Sequence, residues 1–158
     1  MHPHGPMRRK ERQITEMAEI ADILKSGKVM NIALSDDNVP FTVPVFYAHD
    51  GKAVYFHSSL AGTKIAIMKK NSKICFSVSL DNGHLESDKA CDFEAKHRTV
   101  IGFGNAVFVE DGAEKTKALD LIVALFTDKK FEYPANSLRG TAVIRIDIES
   151  VKGKKHGI

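Results

Sequence analysis

Three features of the 158-residue sequence predict a mainly β protein of the α+β class, with a six-stranded antiparallel sheet and flanking helices. Apolar runs of strand length recur at hairpin spacing. Short turns rich in Asp, Asn and Gly separate them. Helical periodicity is confined to three stretches, giving the order helix, three strands, helix, two strands, helix, strand. Six strands are enough to curl into a small barrel.

The first helix begins near Thr15, a candidate N-cap, with Glu16 in the first turn. Met17, Ile20, Ala21 and Leu24 share one face, Lys25 sits in the last turn and Gly27 ends the helix. Val29 to Leu34 reads as a strand, Ser35 to Asn38 as a turn, and Pro40 to Tyr47 as a second strand. Pro44 cannot donate to a ladder, so that strand lies at an edge or carries a bulge. His49-Asp50-Gly51-Lys52 turns the chain into a third strand, Ala53 to His57. Ala61, Ile65 and Met68 mark a short helix that Asn71 ends. Lys73 to Leu80 is the fourth strand and Asp81 to Asp92 is irregular.

Phe93 to Val109 is a long strand region. Ile101, Phe103, Val107 and Val109 share one parity, and Gly102 and Gly104 lie on the other. Missing side chains there imply a bend, or the close approach of a ligand or a second backbone. Leu119, Ile122, Val123 and Phe126 form a helical stripe, and Thr141 to Ile148 is the last strand. Residues 13–150 therefore read as one domain, with a flexible tail at 1–12 and a basic tail at 151–158.

The composition is that of a soluble globular chain: 43% hydrophobic and 27% charged, so a core can form without a metal or disulfides. A net charge of +3, with the lysines scattered, lacks the dense basic stripe of a nucleic-acid binder. The basic runs Arg8-Arg9-Lys10 and Lys152-Gly153-Lys154-Lys155 read as solvated ends. Cys75 and Cys91 form no Cys-x-x-Cys pair and suit a reducing cytoplasm. No apolar run is long enough to span a bilayer, and Met1 to Pro6 lacks the apolar centre of a signal peptide. No metal site is expected: His2 and His4 make none alone, and no His-x-x-x-His pair occurs.

The stretch Tyr55-Phe56-His57-Ser58-Ser59-Leu60-Ala61-Gly62-Thr63-Lys64 carries the most chemistry. A strand ends, two hydroxyls follow, and a lysine sits in the first turn of a helix. A helix N-terminus already carries partial positive charge, so an isolated cation is poorly placed there. A bound phosphate removes the conflict: Ser58, Ser59, the first amides, Gly62 and Lys64 can cradle it. The alternative is an ordinary strand-to-helix junction, with Ser59 as N-cap and Lys64 solvated. Val43, Pro44, Val45 and Phe46, on the proline-interrupted strand, offer unpaired backbone groups to a flat heterocycle, or else are core residues beside a bulge. Lys96 and Arg98 point to one face, toward an anion or toward water. His57, beside the cradle, is a candidate to hydrogen-bond a cofactor or donate a proton, or is simply exposed.

At these residues the chain resembles the pyridoxamine-phosphate-oxidase-like flavin-binding split barrels, and within them the 5-nitroimidazole-resistance proteins. Met7 to Ile14, Leu34, Val43-Pro44, Tyr55 to Ser58, Gly62-Thr63-Lys64, Ala90-Cys91 and Arg98 to Gly104 follow in that family's order. The resemblance implies a six-stranded split barrel and a homodimer with flavin at its interface. The flavin is usually FMN, with FAD in some relatives. Ser58, Ser59 and Lys64 would hold the phosphate, and Val43, Pro44, Val45 and Phe46 would line the ring. His57 would stand beside the flavin as the catalytic candidate. Arg98 and Thr99 would contribute from the long strand or from a partner subunit. His97 departs from the family, which commonly has a tyrosine there. The implied function is reduction of small electron-poor substrates such as nitroaromatics. A flavin store or redox-stress protein is the alternative, and a haem-binding barrel a third.

Overall fold

The computed structural model describes residues 2–158. A 3-10 turn at Lys10–Arg12 leads into β1 (Gln13–Ile14) and α1 (Met17–Ser26). Then come β2 (Val29–Asp36), β3 (Val39–Phe46), β4 (Ala48–His49), β5 (Val54–Ser58) and α2 (Thr63–Lys70). The chain continues through β6 (Lys73–Leu85), β7 (Glu94–Phe108), α3 (Gly112–Val123), α4 (Ala135–Arg139) and β8 (Ala142–His156). All strands join one open eight-stranded sheet in the order β3-β2-β6-β7-β8-β5-β4, and β1 pairs with β8. Every pairing is antiparallel.

The predicted six strands are present, and two two-residue strands, β1 and β4, complete the eight. Two residues are too few to show a period of two, which is why the pattern missed them. Two strands also run further than expected. β6 continues to Leu85 as part of a ribbon with β7, beyond a register shift between Asp81 and His84. Residues 81–93 are exposed, so no apolar alternation marks that ribbon. β8 continues to His156, replacing the basic tail expected from Val151, because β1 and β7 pair along its lysine-rich end. Residues 10–14, close to the expected N-terminal tail, are likewise a turn and a strand. At α1 the N-cap is Glu16, not Thr15, and no side chain caps it.

The core lies inside the curled sheet. Met30 and Ile32 of β2, Ile74 and Phe76 of β6, and Ile144 and Ile146 of β8 are at most 1% exposed. Ile20, Ile23 and Leu24 of α1 close one side, and Ile65 and Met68 of α2 another. A smaller cluster under α3 joins Ala118 to Ala53, Tyr55, Val109 and Val143. β5 is thus covered on both faces up to Phe56, and only its last residues emerge. Phe126 does not extend the α3 stripe: the helix ends at Val123, and Phe126 is exposed against Phe46.

β7 carries its small residues inward. Val100, Gly102, Gly104 and Ala106 face the core, whereas Ile101 is 42% exposed. The ring of Phe76 occupies the space beside Gly102, where an added Cβ would lie 2.0 Å from it. At Gly104 the neighbour is backbone: a Cβ would stand 2.2 Å from the carbonyl oxygen of Asp147. The register there jumps from Phe103↔Ser150 to Gly104↔Ile148, leaving Glu149 as the extra residue of a bulge. The two glycines therefore mark both a bend and a close backbone approach. Backbone cannot yield as a flexible side chain can, so Gly104→Ala should lower unfolding stability by about 1–3 kcal/mol, read as a shifted denaturant midpoint.

Candidate functional site

At Tyr47 the chain changes partner. β3 pairs with β2 from Val29↔Phe46 to Asp36↔Val39, and the Tyr47 N–H donates to Lys28 O at 3.1 Å. The next two residues leave that ladder and pair with β5, as Ala48↔Tyr55 and His49↔Val54. Continuing that register places Phe46 across from His57 and Val45 across from Ser58, yet no ladder joins β3 to β5. This is the split in the barrel. The Tyr47 side chain is fully buried at the branch point and donates from Oη to Leu24 O at 2.7 Å. Burial drives its pKa up from the usual phenol value, so it stays a neutral donor.

β3 is an edge strand, as its prolines require. Val43 and Val45 pack toward the core, while Pro44 and Phe46 face outward. Pro44, Val45 and Phe46 line, with Val29, an apolar depression of about 280 Å³. Phe46 meets Phe126 edge to face with ring centroids 5.3 Å apart.

Across the split, β5 ends in exposed His57 and half-buried Ser58, paired with Val143 and Ala142. The Ser58 Oγ is buried and has no hydrogen-bond partner among the described residues. The Ser59 Oγ donates to Ala61 O at 2.7 Å and closes the connecting turn. The junction reading with Ser59 as N-cap is therefore corrected: the N-cap is Gly62, at φ 124° and ψ 168°, and no side chain caps the helix. Only glycine adopts such a backbone easily. The leading amides of α2 thus lack a side-chain acceptor, Lys64 stands half-buried among them, and no acidic residue occupies the first turn. An orphaned hydroxyl, an uncapped helix start and an ammonium within seven consecutive residues suit a phosphate.

Arg98 and Thr99 lie elsewhere. Thr99 is bonded to Ser79 Oγ at 3.1 Å and to His97 Nδ1 at 3.3 Å. Arg98 pairs with Lys155 near the far end of β8, whereas β5 meets β8 only at residues 142–146. About a dozen residues of strand separate the two places, on the order of 30–40 Å. One chain does not bring these residues to the cradle. The Arg98 Nε is itself buried without a partner.

A family model described as pyridoxamine 5'-phosphate oxidase matches residues 16–155. The chain belongs to the pyridoxamine 5'-phosphate oxidase family. Among solved structures of related proteins, it is similar to a candidate 5-nitroimidazole antibiotic resistance protein from Bacteroides thetaiotaomicron. The two are 26% identical with a TM-score of 0.80, over 90% of this chain and 85% of the other. The flavocytochrome Anf3 from Azotobacter vinelandii superposes with a TM-score of 0.87 at 23% identity, over 100% of this chain and 75% of that one. An FAD and heme binding protein from Mycobacterium smegmatis gives 0.83 at 17% identity, over 93% and 74%. These two likenesses establish the split-barrel fold. An uncharacterized protein of Rhizobium meliloti is 28% identical over 67 residues, so the chain spans 44% of that relative's length and the match covers 42% of this one.

Sequence reasoning about this family member picked out the hydroxyls and the lysine but overlooked Gly62 as the N-cap and the outward parity of Ile101. The inward glycines of β7 were the available sign of that parity. Among the described residues, no helix is long and apolar enough to cross a membrane, and no group of three His, Cys, Asp or Glu side chains is placed to hold a metal.

The hairpin that presents β5 is fastened by Asp50. Its Oδ1 accepts from the N–H groups of Lys52 (3.0 Å) and Ala53 (2.9 Å), and its Oδ2 meets Lys117 of α3 at 2.8 Å. Burial alone would raise the carboxyl pKa, but these bonds outweigh it and hold the group at about 2. A depressed folded pKa means stability that is fully present above the ordinary carboxyl value and lost as pH falls toward 2. Asp50→Asn should therefore be less stable by on the order of 2 kcal/mol at neutral pH. Denaturant melts from pH 6 down to about 2 should show that gap closing below about pH 4.

Proposed function

We propose that the chain is a flavin-dependent oxidoreductase that works as a homodimer. FMN is the preferred cofactor, FAD the alternative, and a small electron-poor molecule such as a nitroaromatic the substrate. The observation that carries this reading is the unpartnered Ser58 hydroxyl at the end of β5, five residues before the uncapped start of α2 at Thr63, in a sheet whose β3 edge is open. The likeness to a candidate 5-nitroimidazole resistance protein supports the substrate class. The flavocytochrome and the FAD and heme binding protein among the structural neighbours support a flavin.

In this reading Ser58 donates to the flavin phosphate together with the first amides of α2, and Lys64 neutralises it. Val43 to Phe46 provide an apolar lip for the ring and exclude water, and the free edge of β3 offers backbone groups to the ring's polar rim. The bound flavin supplies the two-electron chemistry. His57, exposed at the rim, orients the substrate or donates a proton to it.

The outward sheet face supports the dimer. Val29, Phe46 and Ile101 are 43%, 51% and 42% exposed. Rows such as Pro44–Asn31–Ser77–Ile101 cross four strands without a helix over them. A second copy on this face would cover those residues, and it would be the only source of Arg98 and Thr99 for the cradle. Ile101→Glu should convert dimer to monomer in sedimentation velocity and lower flavin occupancy; an unchanged dimer refutes this use of the face.

The cofactor test is direct. Purified protein should release a flavin identifiable by mass and absorbance. Ser58→Ala and Lys64→Ala should each weaken its binding at least tenfold, as expected for loss of one charge-assisted bond. His57→Ala should retain the flavin but reduce nitroaromatics at least tenfold more slowly. Protein that takes up no flavin from excess would exclude the proposal, and flavin bound without any turnover would favour a store or redox-stress role.

A further inference from the structure

The two basic runs at the chain ends do not float apart. β1 pairs with β8 as Gln13↔Lys154 and Ile14↔Gly153, which lays the N-terminal run against the C-terminal one. Lys152 Nζ donates to Gly5 O and holds the segment further upstream. The result is a concavity of about 400 Å³ lined by Met7, Arg8, Arg9, Arg12, Glu94 and Lys154.

The charges in it do not cancel. Glu94 is the one anion of the lining, and it is already committed to Arg12 at 3.7 Å and to His156. Among the described residues, Arg8, Arg9 and Lys154 make no side-chain ion pair, leaving about three positive charges around one hollow. His97 reports the same field: burial lowers its pKa first, and Lys154, His156 and Arg12 lower it further. Such an arrangement is stable when an anion completes it. A phosphate monoester carries about −1.5 to −2 and leaves a cation unmatched, whereas two linked phosphates match the set. Guanidinium forks from Arg8 and Arg9 suit adjacent phosphate oxygens.

We propose that this corner binds the diphosphate group of a small phosphorylated molecule, at a site separate from the cradle on α2. The site does not depend on the flavin reading, because it is built from other residues at the opposite end of β8.

Titration calorimetry of the full chain with inorganic pyrophosphate, ADP and adenosine tests it. Pyrophosphate and ADP should both bind and adenosine should not, which separates free diphosphate from a nucleoside contact. Arg8→Ala/Arg9→Ala, and separately Lys154→Glu, should weaken pyrophosphate binding at least tenfold. The thermal midpoint of the double variant should stay at the parental value, since both arginines are exposed. Ser58→Ala/Lys64→Ala should bind pyrophosphate as the parent does. The proposal fails if pyrophosphate does not bind, if the arginine and lysine variants bind it undiminished, or if the cradle variant alone loses it. Salt-sensitive binding of a single-stranded oligonucleotide with no binding of pyrophosphate would also overturn it, and would assign the corner to nucleic acid.

Discussion

The fold turns on a change of partner within a single extended segment. Residues 39–49 begin as the edge neighbour of β2 and end as the neighbour of β5. A continuous ladder on both sides would close the barrel and leave no backbone free. Two constraints prevent it. The prolines of β3 remove donors, and the buried Tyr47 ring is fixed by its bond to Leu24 O, which ties the branch point to α1. The lip of β3, the exposed end of β5 and the start of α2 are consequences of that one divergence. The site is a gap in hydrogen bonding as much as a set of side chains.

A second consequence concerns which face of the sheet meets water. Phe76 fills the volume inside β7 where Gly102 has no side chain, and the bulge at Glu149 brings the Asp147 backbone against Gly104. The core is thus filled from β6, and the bulky members of β7, Ile101 and Phe103, are left on the outer surface. Outward apolar residues on a sheet without a covering helix invite another surface. The same inversion that packs the core tightly leaves Ile101 exposed on the outer face.

Much of this could be read from residue types. Pro44 announced an edge strand and the change of period at Val29 announced the sheet. Other features left no trace. β1 and β4 are too short to alternate, and β6 beyond Leu80 is exposed on both faces. The end of β8 looked like a solvated tail because its side chains are mostly lysines. Its strand character comes from backbone bonds to β1 and β7, which leave no mark on side-chain polarity. That neither hydroxyl caps α2 was also illegible: Gly62 is the N-cap, and the Ser59 hydroxyl turns back to Ala61 O instead.

The chain thus holds two positive corners at opposite ends of one strand, one at α2 and one where the chain ends meet. The path along β8 between them is on the order of 30–40 Å, several times the screening length of about 8 Å at physiological ionic strength. The bulge of β8 at Glu149 lies between the two and is clamped by Lys73 and Asn105. Through that bulge, β8 is one covalent and hydrogen-bonded path joining the end of β5 to the place where β1 lies against the chain's basic end.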